Sequence, residues 1–128
     1  QVVPWNNGSA VHWSMLHRGH LMLRDDSAMN FSPQMFAEFI APYDQRLLDE
    51  FGGGALHFCG RGDHYIAQAC AAPNLFAVNL SQPHCNDMET IFTHTIDRGI
   101  SLIGLERTAA TAALGRGRAL HGRVHCTS

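Results

Sequence analysis

Short apolar runs alternate with amphipathic stretches along most of the chain. "LMLRDD" (21–26) reads as a strand that ends in two acids. Ser32-Pro33 supplies a helix N-cap followed by proline at the first helical position. Phe36, Phe39, Ile40, Tyr43, Leu47 and Phe51 recur at helical spacing. They predict one apolar stripe, kinked at Pro42 and stopped by Gly52 to Gly54. "ALHFC" (55–59) is the next strand, and Asp63 is placed to cap a short helix through "HYIAQACAA". Pro73-Asn74 turns the chain into the strand "LFAVNL" (75–80). Asn86 and Glu89 have capping-box spacing before "METIFTHTIDR", which Gly99 ends. "ISLIGL" (100–105) is a strand, "RTAATAALGRGRAL" a helix, and "RVHC" (123–126) a short closing strand.

Strands and helices therefore alternate, with brief connections. That order predicts an α/β fold with a parallel sheet and helical crossovers. An open doubly wound sheet and part of a (β/α)8 barrel are the two common solutions. No GxGxxG follows the first strand, which leaves a dinucleotide fold little support. A whole barrel of the TIM type takes about 250 residues, so these 128 residues are expected to form its C-terminal half as a single domain. The opening "QVVPWNNG" lacks Met and fits a truncated chain. A half barrel has two sheet edges and an open apolar face, so self-association or pairing with a missing N-terminal half is expected.

Composition narrows the function. The net charge is −2 with His neutral, so no basic surface invites nucleic acid. The nine cationic residues are all Arg, which excludes a Schiff-base or P-loop lysine within the chain. No apolar run approaches the roughly 20 residues of a membrane span. No basic n-region precedes an apolar stretch, so no signal peptide is expected. The four cysteines form no CxxC pair and fit free thiols in a reducing cytoplasm.

The chemistry centres on "LHFCG" (56–60). On a strand, His57 and Cys59 project to one face while Leu56 and Phe58 take the other. They lie at a strand's C-terminal end, where α/β folds collect functional side chains, and Cys126 ends the last strand. One imidazole and two thiolates make a soft donor set for Zn²⁺ that leaves a fourth position open, as in catalytic zinc sites. The bland reading stands beside it, since Cys is often buried for packing alone. Cys70 reads as core, and Cys85 with His84 as a loop pair and reserve ligand. "RGD" (61–63) reads as coincidence. Of Asp25 and Asp26, which face oppositely, one is expected to serve. Asp26 is the candidate, with Glu106 after the "ISLIGL" strand as the second catalytic carboxylate. Arg107 is the alternative there, with a salt-bridged loop as the plain reading. His17 and His20 suit the surface or a pocket rim, and His125 should pack away from Cys126.

"DDSAMNFSPQMFAEFIAPYDQRLLDEF" followed by "GGGALHFCG" resembles the uroporphyrinogen decarboxylase superfamily from about residue 20 onward. Its members share an acidic strand end, a Ser-Pro…Phe…Pro-Tyr helix and a strand ending in His-x-Cys-Gly. The resemblance implies a TIM barrel. True decarboxylases of this family need no metal, and their key carboxylate lies in the N-terminal half. The cobalamin-dependent methyltransferases of the superfamily bind zinc through a His-x-Cys pair and a later Cys, and His57, Cys59 and Cys126 match those places. The ending departs from the pattern, because "RVHC" lacks a Pro-Gly-Cys run. The implied activity is zinc-dependent transfer of a methyl group from a methyl-corrinoid, brought by a separate carrier protein, to a small-molecule thiol. A metal-free carboxy-lyase and a non-catalytic ligand-binding barrel remnant are the alternatives.

Overall fold

The computed structural model describes residues 9–12, 15–25 and 30–126, the first stretch for its backbone only. Asp26, a candidate above, lies outside the described residues. A hairpin comes first, with β1 (Ser9–His12) antiparallel to β2 (Met15–Arg18). The rest is a mixed α/β arrangement around one five-stranded parallel sheet. Its strands β3 (Leu21–Arg24), β4 (Gly54–Phe58), β5 (Leu75–Leu80), β6 (Ser101–Leu105) and β7 (Val124–Cys126) lie side by side in chain order. Among the described residues no helix is long and apolar enough to cross a membrane.

The first crossover departs from the expected single stripe. Helix α1 (Pro33–Met35) starts at Ser32, whose side chain accepts a bond from the Met35 N–H. A π-turn (Phe36–Ile40) follows, closed by the Ala41 N–H donating to the Phe36 carbonyl, and then α2 (Ala41–Phe51). Pro42 lacks an N–H and its ring crowds the preceding turn, and the wider turn just ahead of it relieves that conflict. The extra residue rotates the face. Phe36 and Leu48 are buried, whereas Phe39 is 63% and Tyr43 61% exposed, and Phe51 is exposed as well. Asp44 takes a buried place instead. Gly52, at φ 76°, caps α2 through its N–H to the Leu48 carbonyl, as expected of a left-handed stop.

Alternation along β4 feeds two layers. Leu56 and Phe58 join Val78, Leu80, Leu102 and Leu105 in the main core, against side chains from the crossover segments. These come from α2, from α3 (Ile66–Cys70), from α4 (Met88–His94) and from α5 (Arg107–Gly115). Tyr65 stacks on Phe36 with ring centroids 4.5 Å apart and meets Phe58 edge-on at 5.8 Å. The other face is small and separate, Ala55, Ala77 and Ile103 with Met15 and Met22. Strand β2 lies across it against β4, β5 and β6. The expected open apolar face is thus crossed by a hairpin that the pattern did not predict. Its linking pair, Trp13-Ser14, carries none of the Asn-Gly signals that mark tight hairpins.

Two expected helix caps are also replaced. Tyr65, not Asp63, precedes α3, and Asp87, not Asn86, caps α4 by accepting from the Glu89 N–H at 3.1 Å. Asp63 and Asn86 have other work in the loop that follows β4.

Candidate functional site

The sequence places a polar side chain at matching points of two adjacent strands. His57 of β4 and Asn79 of β5 are register partners, and both are 6% exposed. His57 Nδ1 lies 2.6 Å from Asn79 Oδ1 in a hydrogen bond, and Asn79 Nδ2 donates to the Ile103 carbonyl on β6 at 2.8 Å. On its other side, His57 Nε2 lies 3.3 Å from Cys59 Sγ. The predicted pair therefore converges on one face at the strand's C-terminal end. Asn79 was missed, although a lone polar residue inside the apolar run "LFAVNL" was the signal.

The loop after β4 is tied down by two amide side chains. Gly60 N–H donates to Gln82 Oε1 at 2.7 Å. Asn86 Oδ1 accepts from the Gly62 and Asp63 N–H groups, and its Nδ2 donates to the Gly60 and Gln82 carbonyls. Asp63 receives Arg61 Nε and the Asp87 N–H at 2.7 and 2.6 Å. Burial works against its ionisation, but these donors outweigh it and hold the carboxyl below its usual range. "RGD" is therefore a loop lock that keeps Cys59 in place beside His57.

A second polar group lies at the end of β3, the strand next to β4. The Asp25 N–H donates to the His57 carbonyl at 3.0 Å. The Asp25 side chain is hydrogen-bonded to Asp44, whose carboxyl is pushed well above its ordinary value. Burial is the largest cause, followed by the bond to Asp25 and by the charge there. The two acids face a cleft of about 380 Å³ that also includes Arg24, Phe39 and Tyr43. Asp44 was hidden from the sequence reading because the expected stripe ran past it.

The remaining candidates are scattered. Glu106 is exposed at the start of α5, where the Thr108 hydroxyl donates to it, and it lines a separate cleft with Pro83, His84 and Arg116. Cys126 is exposed on β7, three strands from β4, or about 14 Å along a sheet of ordinary spacing. Cys85 is exposed on a 3₁₀ turn. Among the described residues no three His, Cys, Asp or Glu side chains are grouped to hold a metal, so the structure joins His57 to Cys59 and leaves Cys126 apart. Cys70 is buried and its thiol is pushed up to about 12, chiefly by burial, which matches its packing role. His125 is exposed rather than packed, while His17 is buried with its Nδ1 bonded to the Arg18 carbonyl. Comparison with protein-family models, curated proteins and solved structures found no match to this chain.

Proposed function

We propose that this chain is a zinc-dependent methyltransferase of the uroporphyrinogen decarboxylase-like type, moving a methyl group from a corrinoid to a thiol. One observation carries the reading. His57 Nε2 and Cys59 Sγ stand 3.3 Å apart at a strand's C-terminal end, with the ring's other nitrogen already bonded to Asn79. An imidazole and a thiol side by side, the imidazole braced from behind, are a fitting part of a soft metal site. His57 and Cys59 would hold the zinc. Cys126 is the third donor if the sheet is half of a (β/α)8 barrel, because closure carries β7 round toward β4. Bound zinc would supply Lewis acidity that lowers the pKa of an acceptor thiol.

The protein's own groups orient and protect. The loop locked by Gln82 and Asn86 fixes Cys59. Asp25 is placed beside β4, and its pairing with Asp44 keeps a proton available at a carboxyl oxygen. The corrinoid would come on a carrier protein, and the thiol would be a small molecule.

The line from Cys59 through His57 to Asn79 also favours a second reading. A thiol, an imidazole and an amide in that order suit a metal-free cysteine nucleophile with an oriented base. Metal analysis separates the two. Gently purified wild type is expected to carry about one zinc per chain, absent from His57→Ala and Cys59→Ala. Thiol methylation from a methyl-corrinoid should fall with it. Loss in Cys126→Ala would confirm the third ligand, and retention there with loss in Cys85→Ala would move it. Folded wild type without zinc would overturn the methyltransferase and leave the nucleophile or the metal-free decarboxylase.

A further inference from the structure

We infer that Asn79 is a positioning residue that fixes His57 in one tautomer, with its Nε2 lone pair turned toward Cys59. The inference deepens the zinc reading, and its consequence for metal binding rests on that reading.

The argument starts on β6. The paired register between β5 and β6 runs from Ala77↔Ser101 to Val78↔Leu102 and goes no further. At the next step the Asn79 side chain takes the Ile103 carbonyl in place of a ladder partner. Gly104 makes that possible. Its φ is 64°, and the β6 register against β7 shifts between Ile103 and Leu105. A Cβ there would stand 2.8 Å from Asn79 Nδ2 and 2.4 Å from Met15 Sδ.

Donor and acceptor roles then follow in order. A backbone carbonyl only accepts, so the amide end facing Ile103 must be the NH₂. The end facing His57 is therefore the carbonyl oxygen, which also only accepts. His57 Nδ1 must carry the proton. A neutral imidazole has a single N–H, so Nε2 is left as the acceptor, 3.3 Å from Cys59 Sγ. The choice of tautomer is thus made three strands wide, by Ile103, Asn79 and His57. Both polar side chains are buried, where a mismatched donor would be costly. A metal takes only the unprotonated nitrogen, which in this tautomer is Nε2.

The test reads the ring directly. Nitrogen-15 NMR on the full chain without metal, near neutral pH, resolves histidine tautomers, and His57→Gln identifies the signal. Wild-type His57 is expected as the Nδ1–H form. Asn79→Leu should lose that preference and bind cobalt(II) about 10- to 100-fold more weakly. Asn79→Asp keeps an acceptor and should keep both the tautomer and most of the affinity. An Nε2–H form in the wild type, or an unchanged signal in folded Asn79→Leu, would overturn the inference. If Asn79→Leu fails to fold, the wild-type and Asn79→Asp spectra still decide it. A tautomer lock in a chain that binds no metal would sustain the inference and sink the zinc reading. Cobalt bound equally well by wild type and Asn79→Leu, with the tautomer unmoved, would do the reverse.

Discussion

Phe58→Ala is expected to destabilise the protein by about 3–5 kcal/mol. The ring is fully buried on the helix side of β4, opposite the face that carries His57. It meets Tyr65 edge-on, and the following loop folds back onto it at Gly62. A Cβ on Gly62 would come within 2.4 Å of the Phe58 ring, so the loop backbone packs closely against it. Alanine would leave a cavity under that loop. The cost combines lost transfer energy with a gap that a five-stranded sheet cannot close easily. The effect should also reach the site, because the same loop carries Cys59. Denaturant titration measures the first part, and the alkylation rate of Cys59 the second. Phe58→Leu, which keeps most of the volume, should cost much less. A loss below about 1 kcal/mol for Phe58→Ala would mean that Tyr65 and Phe36 collapse into the space, and that the ring does not anchor the strand.

Stability should fall as pH rises from the mildly acid range toward 8, and Asp44→Asn should remove most of that fall. Asp44 is 7% exposed, and its carboxyl is pushed from 3.8 to about 8 by burial, by its bond to Asp25 and by the neighbouring charge. The sign follows from linkage. Below the ordinary carboxyl value both folded and unfolded chains hold the proton. Between the two values the folded chain keeps it and the unfolded chain releases it, so stability declines by up to about 1.4 kcal/mol for each pH unit. Above the raised value the decline ends. Asp63 and Asp97 act on the other side. Their carboxyls are held below the usual range, so their contribution is present above it and is lost on acidification. Asn at position 44 can still donate to the Asp25 carboxylate and carries no titrating proton. Denaturation at pH 5 and pH 8 should show a drop in wild type and a much smaller one in Asp44→Asn. Parallel behaviour of the two proteins would show that the pair does not share a buried proton.

The strand and helix order was legible because apolar runs and turn residues punctuate this chain clearly. The five predicted strands all form the parallel sheet, in chain order. His57 and Cys59 were legible as a pair because a strand's period of two puts them on one face, a relation that persists although β4 ends at Phe58. What failed depended on longer-range events. The π-turn before Pro42 shifts a helical period, so Phe39 and Tyr43 turn outward and Asp44 inward. Asp63 and Asn86 looked like caps because capping residues and loop ties draw on the same short polar side chains. Asn79 could not be matched to His57 until the register of β4 on β5 was known. The hairpin over the second face gave no turn signal at all.

The division of β4 between two layers has a consequence for how this protein can change. Leu56 and Phe58 answer to the helices, while Ala55 and His57 answer to the opposite face. Neighbouring positions along one short strand are thus under different constraints. The polar side can be altered through Asn79 and its surroundings without repacking the other. A lineage of such chains could change the polar residues around His57 while the aromatic floor beneath the strand stayed as it is.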